Sequence, residues 1–158
     1  MRQKKPKKPV TPEAARLKMA GLCANAEHCE HEIREKLRKM MIPAADIQNI
    51  IDFLIEGKFI DNARFARSYV NDKIRFAGWG RNKIKQALFL KKIPRDVITQ
   101  VCADIDLKEY ASAIKRVAIA KAKNLDLRNY DERTRLFKYL VSRGFEPSIC
   151  SKLLASIK

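Results

Sequence analysis

Three short stretches hold the residue types from which chemical sites are built. The first is GWGRNKIKQALFLKKIP, Gly78–Pro94. Glycines ahead of a basic helix can cradle phosphate, but that loop needs Gly-x-x-x-x-Gly-Lys-Ser/Thr after a strand. Here the glycines stand two apart, follow a helical pattern, and are not followed by Lys-Ser or Lys-Thr. Gly78 is instead expected to close one helix in a left-handed cap, and Gly80 to permit the tight start of the next. The second stretch, DFLIEGK, places Asp52, Glu56 and Lys58 in the order of some nuclease acids and lysines. Metal-assisted cleavage needs a carboxylate pair held on a sheet edge. This segment reads as a helix ending at Gly57, with Asp52 and Glu56 an i,i+4 pair on a solvated face. The third, CANAEHCEHE, collects Cys23, His28, Cys29 and His31. Structural zinc wants paired Cys-x2–4-Cys and His-x3–5-His spacings, and Cys29 and His31 lie about 200° apart on a helix. With two histidines in the chain, no nucleophile–base arrangement is suggested. No catalytic residue, metal, cofactor or small-molecule substrate is therefore expected.

Charge gives a different direction. The 158 residues carry 34 Lys+Arg against 18 Asp+Glu, a net charge of +16. Such an excess fits a polyanionic partner, because nucleic-acid binding releases condensed counterions. Its distribution is uneven: residues 11–60 sum to −1, whereas 61–105 and 106–158 each sum to +6. Residues 1–12 form a Lys/Pro tail, expected to be disordered. No stretch has the length of a membrane span and the N-terminus lacks an apolar signal core. Four irregularly spaced cysteines fit a reducing compartment. A cytoplasmic monomer is expected.

The elements that position these charges come from an internal repeat. Ile33, Ile84 and Leu136 are separated by 51 and then 52 residues. The same separations relate Leu37, Leu88 and Leu140, and also Ile42, Ile93 and Phe145. They continue through Ile47, Ile98 and Cys150, through Ile50, Val101 and Leu153, and through Ile51, Cys102 and Leu154. Each copy is a helix, a turn ("MMIPAAD", "KKIPRDV", "SRGFEPS") and a second helix, preceded by one more helix near 13–27, 62–76 or 107–124. Thr11 and Asp61 stand where the first helices of copies one and two need an N-cap. The fold expected is all-α: three tandem three-helix repeats, 13–60, 61–105 and 106–158, in an elongated, curved solenoid. Units of about 50 residues have marginal cores alone and should share apolar surface.

On the helix from about 80 to 92, Ile84, Ala87 and Leu88 face the core. A step of about 100° per residue gathers Arg81, Lys85 and Lys92 on an adjacent stripe flanked by Phe89. Lys83 and Lys91 fall on the other side of the core face, and Arg64, Arg67, Lys73 and Arg75 add charge upstream. The equivalent stripe is Glu30, Arg34 and Met41 in the first copy, and Arg133, Phe137 and Gly144 in the third. The repeat architecture therefore does not require a basic stripe, which marks these ten residues as the candidate binding surface.

With the motifs placed, the chain resembles the RecX family of bacterial recombination regulators. The resemblance rests on EHEIREKL (Glu30–Leu37), FLIEGKFIDNARFARSYV (Phe53–Val70), Gly78–Pro94, and YLVSRGFEPSICSKLL (Tyr139–Leu154). It implies a non-enzymatic protein that binds RecA, lodges in the groove of the RecA–DNA filament, and suppresses ATP hydrolysis, strand exchange and coprotease activity. The partners it implies are RecA and the RecA–single-stranded DNA filament, with free DNA as a further ligand. A rival expectation is a helix–turn–helix regulator that reads duplex DNA without RecA, using residues 95–104. That segment, RDVITQVCAD, offers one Arg and one Gln beside two acids.

Overall fold

The computed structural model describes residues 9–157; most of the basic tail lies outside them. Among the described residues the regular elements are nine α-helices. The first repeat contains α1 (Pro12–Asn25), α2 (Glu30–Lys39) and α3 (Ala44–Glu56). The second contains α4 (Asn62–Arg75), α5 (Arg81–Leu90) and α6 (Arg95–Ala103). The third contains α7 (Leu107–Ala122), α8 (Tyr130–Ser142) and α9 (Pro147–Ser156). The chain divides into two compact units, residues 1–65 and 66–158. The all-α expectation and its helix positions therefore hold.

The repeat has a physical origin in its turns. Backbone φ is +61° at Met41, +58° at Lys92 and +94° at Gly144, three equivalent positions. The N–H one residue later reaches back to the last helical turn in each copy. Ile42 donates to the Leu37 carbonyl at 3.2 Å, Ile93 to Leu88 at 3.1 Å and Phe145 to Leu140 at 3.2 Å. This is the Schellman closure, in which an apolar residue after the left-handed position packs back onto the helix it ends. It explains why leucine and a large apolar residue recur five apart. Glycine suits the left-handed position best, so Met41 and Lys92 hold strain of roughly 1 kcal/mol that Gly144 avoids. Pro43 and Pro94 then sit at the N-caps of α3 and α6, and Pro147 in the first turn of α9.

Of the eighteen repeat positions, seventeen are buried; Leu153 alone is half-exposed. Burying each such side chain contributes about 1.5–3 kcal/mol. Cys102 and Cys150 fill columns held by isoleucine or leucine elsewhere and are buried. The first helix of each repeat is capped by a side chain: Thr11 Oγ1 accepts from the Ala14 N–H at 3.2 Å, Asp61 Oδ1 from Arg64 at 2.9 Å and Asp106 Oδ1 from Glu109 at 2.7 Å. The start of α2 lacks a cap of its own, and Asn62 Oδ1 accepts from the Glu30 N–H at 3.0 Å.

The second unit closes where two backbones touch. The Gly80 N–H donates to the Arg143 carbonyl and the Asn82 N–H to the Gly144 carbonyl, both at 2.9 Å. A Cβ on Gly80 would overlap the backbone of Gly144 and Phe145, and one on Gly144 would overlap Lys83. By contrast, Gly21 in α1 has open space around it. Gly80→Ala should therefore destabilise by at least about 2 kcal/mol through overpacking, while Gly21→Ala should stabilise α1 by about 0.5–1 kcal/mol. Urea denaturation of the two variants checks this; equal effects would show that the close approach is not a tight contact.

Candidate nucleic-acid interface

The arginines and lysines of the sequence stripe divide by what they meet. Arg81 turns inward. Its guanidinium sits 4.1 Å from the Tyr110 ring centroid, and Nη1 donates to Glu146 Oε1 at 3.0 Å. Its backbone N–H donates to the Tyr110 hydroxyl at 3.0 Å, and that hydroxyl donates to Glu146 Oε2 at 2.6 Å. The Arg81 side chain is only 17% exposed, so this network neutralises its charge within the protein. Arg75 pairs with Glu109. In the first unit, Arg64 pairs with Glu27 at 2.6 Å and donates from Nη2 to the carbonyls of Lys58 and Phe59, just beyond α3.

Other arginines act in the same way. Arg116 Nη2 donates to the Ile74 and Arg75 carbonyls at 3.2 and 2.7 Å. Arg143 donates to Ala77 and Gly78, and Arg133 to Leu154 at 2.7 Å and Ile157 at 3.3 Å. Helix C-termini expose unpaired carbonyls and a partial negative charge, which a planar, multiply donating guanidinium satisfies well.

Three lysines instead gather on rings. Lys73 Nζ lies 5.1 Å from the Tyr69 ring centroid and 4.8 Å from that of Trp79. Lys83 Nζ stands 4.6 Å from Trp79, and Lys91 Nζ 5.6 Å from Tyr69. The sequence Lys91–Tyr69–Lys73–Trp79–Lys83 thus forms one row across α4, the Gly78–Gly80 loop and α5. Cation–π attraction of about 0.5–1 kcal/mol per contact orders the ammonium groups without neutralising them. Among the described residues, Lys73 and Lys83 make no ion pair with a carboxylate. Lys73 and Lys83 therefore keep their positive charge at the protein surface.

The remaining candidates are dispersed around this row. Arg67, Lys85 and Lys92 are exposed, and Phe89 is 51% exposed with the Arg95 guanidinium 5.8 Å from its ring centroid. Tyr69 and Trp79 were not singled out by sequence reading, although Tyr69–Lys73 and Trp79–Lys83 are both four apart, one helical turn. Tyr110 and Glu146 were missed because they meet Arg81 from 29 and 65 residues away. On α6, Gln100 Nε2 donates to Asp104 at 2.8 Å, so its amide is engaged within its own helix. No three His, Cys, Asp or Glu groups among the described residues are arranged to hold a metal ion. His28 Nδ1 lies 3.0 Å from Glu32, and burial raises the Cys23 and Cys102 thiols and pushes Cys150 up to about 11. Such thiols stay protonated and unreactive near neutrality.

Burial by itself would raise Glu146. Hydrogen bonds from Tyr110, its backbone surroundings and Arg81, together with the Arg81 charge, outweigh burial and hold the carboxyl below its ordinary 4.5. Burial and the bond to Glu146 push the Tyr110 hydroxyl well above its usual range. A depressed carboxyl contributes stability that is present above its unfolded pKa and lost as pH falls through the folded value. The wild type should therefore lose stability below about pH 4.5 more steeply than Glu146→Gln. Urea midpoints at neutral pH and at successively lower pH measure this; parallel curves would remove the Arg81–Tyr110–Glu146 network from the stability of the fold.

The sequence and the fold both have relatives. Residues 15–54 match the family model for the first three-helix domain of RecX, and residues 61–101 match that for its second three-helix domain. The regulatory protein RecX of Clostridium tetani (strain Massachusetts / E88) is 31% identical over 135 residues, 80% of this chain and 61% of the relative. That of Clostridium perfringens (strain 13 / Type A) is 30% identical over 130 residues, 79% of this chain and 59% of the relative. The chain spans about three-fifths of the length of these curated relatives. The crystal structure of RecX from Lactobacillus salivarius superposes with a TM-score of 0.80 at 20% identity, covering 92% of this chain and 96% of that one. Three-helix domain matches on the first two repeats, a third repeat of the same design and this shared fold lead to one conclusion: the chain belongs to the RecX family.

Proposed function

We propose that this chain is a non-catalytic regulator of RecA that binds the RecA–single-stranded DNA filament and inhibits its ATPase, strand-exchange and coprotease activities. It acts as a cytoplasmic monomer, with repeats 13–60, 61–105 and 106–158 as its modules. The observation that carries the reading is the Lys91–Tyr69–Lys73–Trp79–Lys83 row. A filament threaded with DNA offers repeated phosphates, and a row of ammonium groups ordered on aromatic rings, with Lys73 and Lys83 outside any carboxylate pair among the described residues, meets them without reading base sequence. Arg67, Lys85, Lys92 and Phe89 extend the contact, whereas Arg64, Arg75 and Arg81 hold the protein's own helices.

The regulatory role is supported by the relatives' name, regulatory protein RecX. Substoichiometric chain should slow DNA-dependent ATP hydrolysis by RecA and block strand exchange at physiological salt; unchanged rates would contradict the proposal. Lys73→Ala, Lys83→Ala and Lys91→Ala should each weaken filament binding. Each lost phosphate contact should make the plot of log affinity against log salt shallower by about 0.7, the value for single strands. Binding measured by fluorescence anisotropy over a salt series tests this. An unaltered slope in the triple variant would return the row to a solvated face.

A further inference from the structure

Leu153, the one repeat position left half-exposed, leads to a second surface. Its counterparts Ile50 and Val101 are 3% and 4% exposed. In the first repeat α1 packs directly on α3, and Ile50 belongs to the resulting core. In the third repeat two adjoining grooves, of about 310 and 500 Å3, lie between α7 and α9 instead. They share Lys115, Leu153 and Ser156 and so form one trough. The floor is apolar, made by Ala111, Ala118 and Ala122 of α7 and Leu153 of α9. Ile119 and Leu107 stand on its walls, 66% and 72% exposed. These alanines, seven and four residues apart along α7, leave a shallow stripe on which another helix can approach closely.

The charged side chains lining the trough are all basic: Arg81, Lys115, Lys123 and Lys152. Arg81 is already met by Glu146, while the three lysines make no ion pair among the described residues. We propose that this trough is a docking groove for an acidic amphipathic helix of a partner protein. Apolar side chains at i, i+3, i+4 and i+7 would lie on the alanine floor, and flanking carboxylates would meet Lys115, Lys123 and Lys152. The 16 residues of α7 span about 24 Å, enough for four turns of such a helix. An apolar floor is the wrong surface for a phosphate backbone, and a second copy of a chain at +16 brings like charge to a basic rim. The proposal concerns different side chains from the lysine row and does not rest on the filament reading.

The probe is a fluorescent, end-blocked 16-residue helix with Leu and Ile at the i, i+3, i+4, i+7 positions and Glu on its flanks. Two versions replace Glu by Gln or Lys, and one scrambles the apolar positions. Titrated with the full chain, affinity should fall in the order Glu, Gln, Lys, with the scrambled peptide at least tenfold weaker than the Glu version. Ile119→Asp changes an exposed side chain and should weaken the Glu peptide at least tenfold with unchanged circular dichroism. Lys115→Glu combined with Lys123→Glu should invert the preference toward the Lys peptide. Equal binding of the scrambled peptide, or no effect of Ile119→Asp, would overturn the proposal. So would Ile119-dependent dimerisation in sedimentation, or Ile119-dependent binding to phosphatidylglycerol vesicles in place of the peptide.

Discussion

Much of the second unit follows from the absence of two side chains. Gly80 and Gly144 let the start of α5 lie backbone to backbone against the turn between α8 and α9. That contact fixes the Gly78–Gly80 loop, which Arg143 holds from its other side through the Ala77 and Gly78 carbonyls. The Trp79 N–H donates to the Lys73 carbonyl at 2.9 Å, so the indole is set beside α4 and ahead of α5. Its ring then orders Lys73 and Lys83 together. The lysine row is thus a consequence of a close approach made elsewhere, and of the helix caps around it.

A strongly basic protein must keep its charges from destabilising its own fold. Here the two kinds of cation take different work. Arginines 64, 116, 133 and 143 donate to carbonyls at or just beyond helix ends, where partial negative charge favours them. Arg75 and Arg81 meet carboxylates. Guanidinium geometry suits this, since several donors in one plane satisfy several acceptors at once. Lysine, a compact and strongly hydrated charge on a flexible stem, is left on the surface or over aromatic faces. Among the described residues, exposed cations are therefore more often lysine than arginine.

The repeat, the turns and the caps were legible in the sequence because they depend on contacts within a few residues. Leu37 with Ile42, Asp61 with the start of α4, and Gly78 at a φ of +60° are local solutions that leave local patterns. The candidate surface was only partly legible. On a helical wheel Arg81 and Lys85 are one turn apart and equivalent, yet Arg81 meets Glu146 from 65 residues away and Lys85 stays exposed. Lys83 and Lys91 lay off the expected stripe, and the rings that unite them with Lys73 come from α4 and the following loop. Leu153 likewise matched its repeat column in sequence, while its exposure depends on how far α7 stands from α9. Tertiary approach, which spacing does not encode, decided each of these.

The most direct test of the lysine row is chemical footprinting. Each lysine of the full chain would be acetylated with an amine-reactive ester, alone and bound to the RecA–single-stranded DNA filament, and quantified by mass spectrometry. Lys73, Lys83 and Lys91 should be protected severalfold on the filament, with Lys18 and Lys39 in the first repeat unchanged. Full labelling of those three lysines, with protection confined to other lysines, would contradict the assignment of the row to the filament.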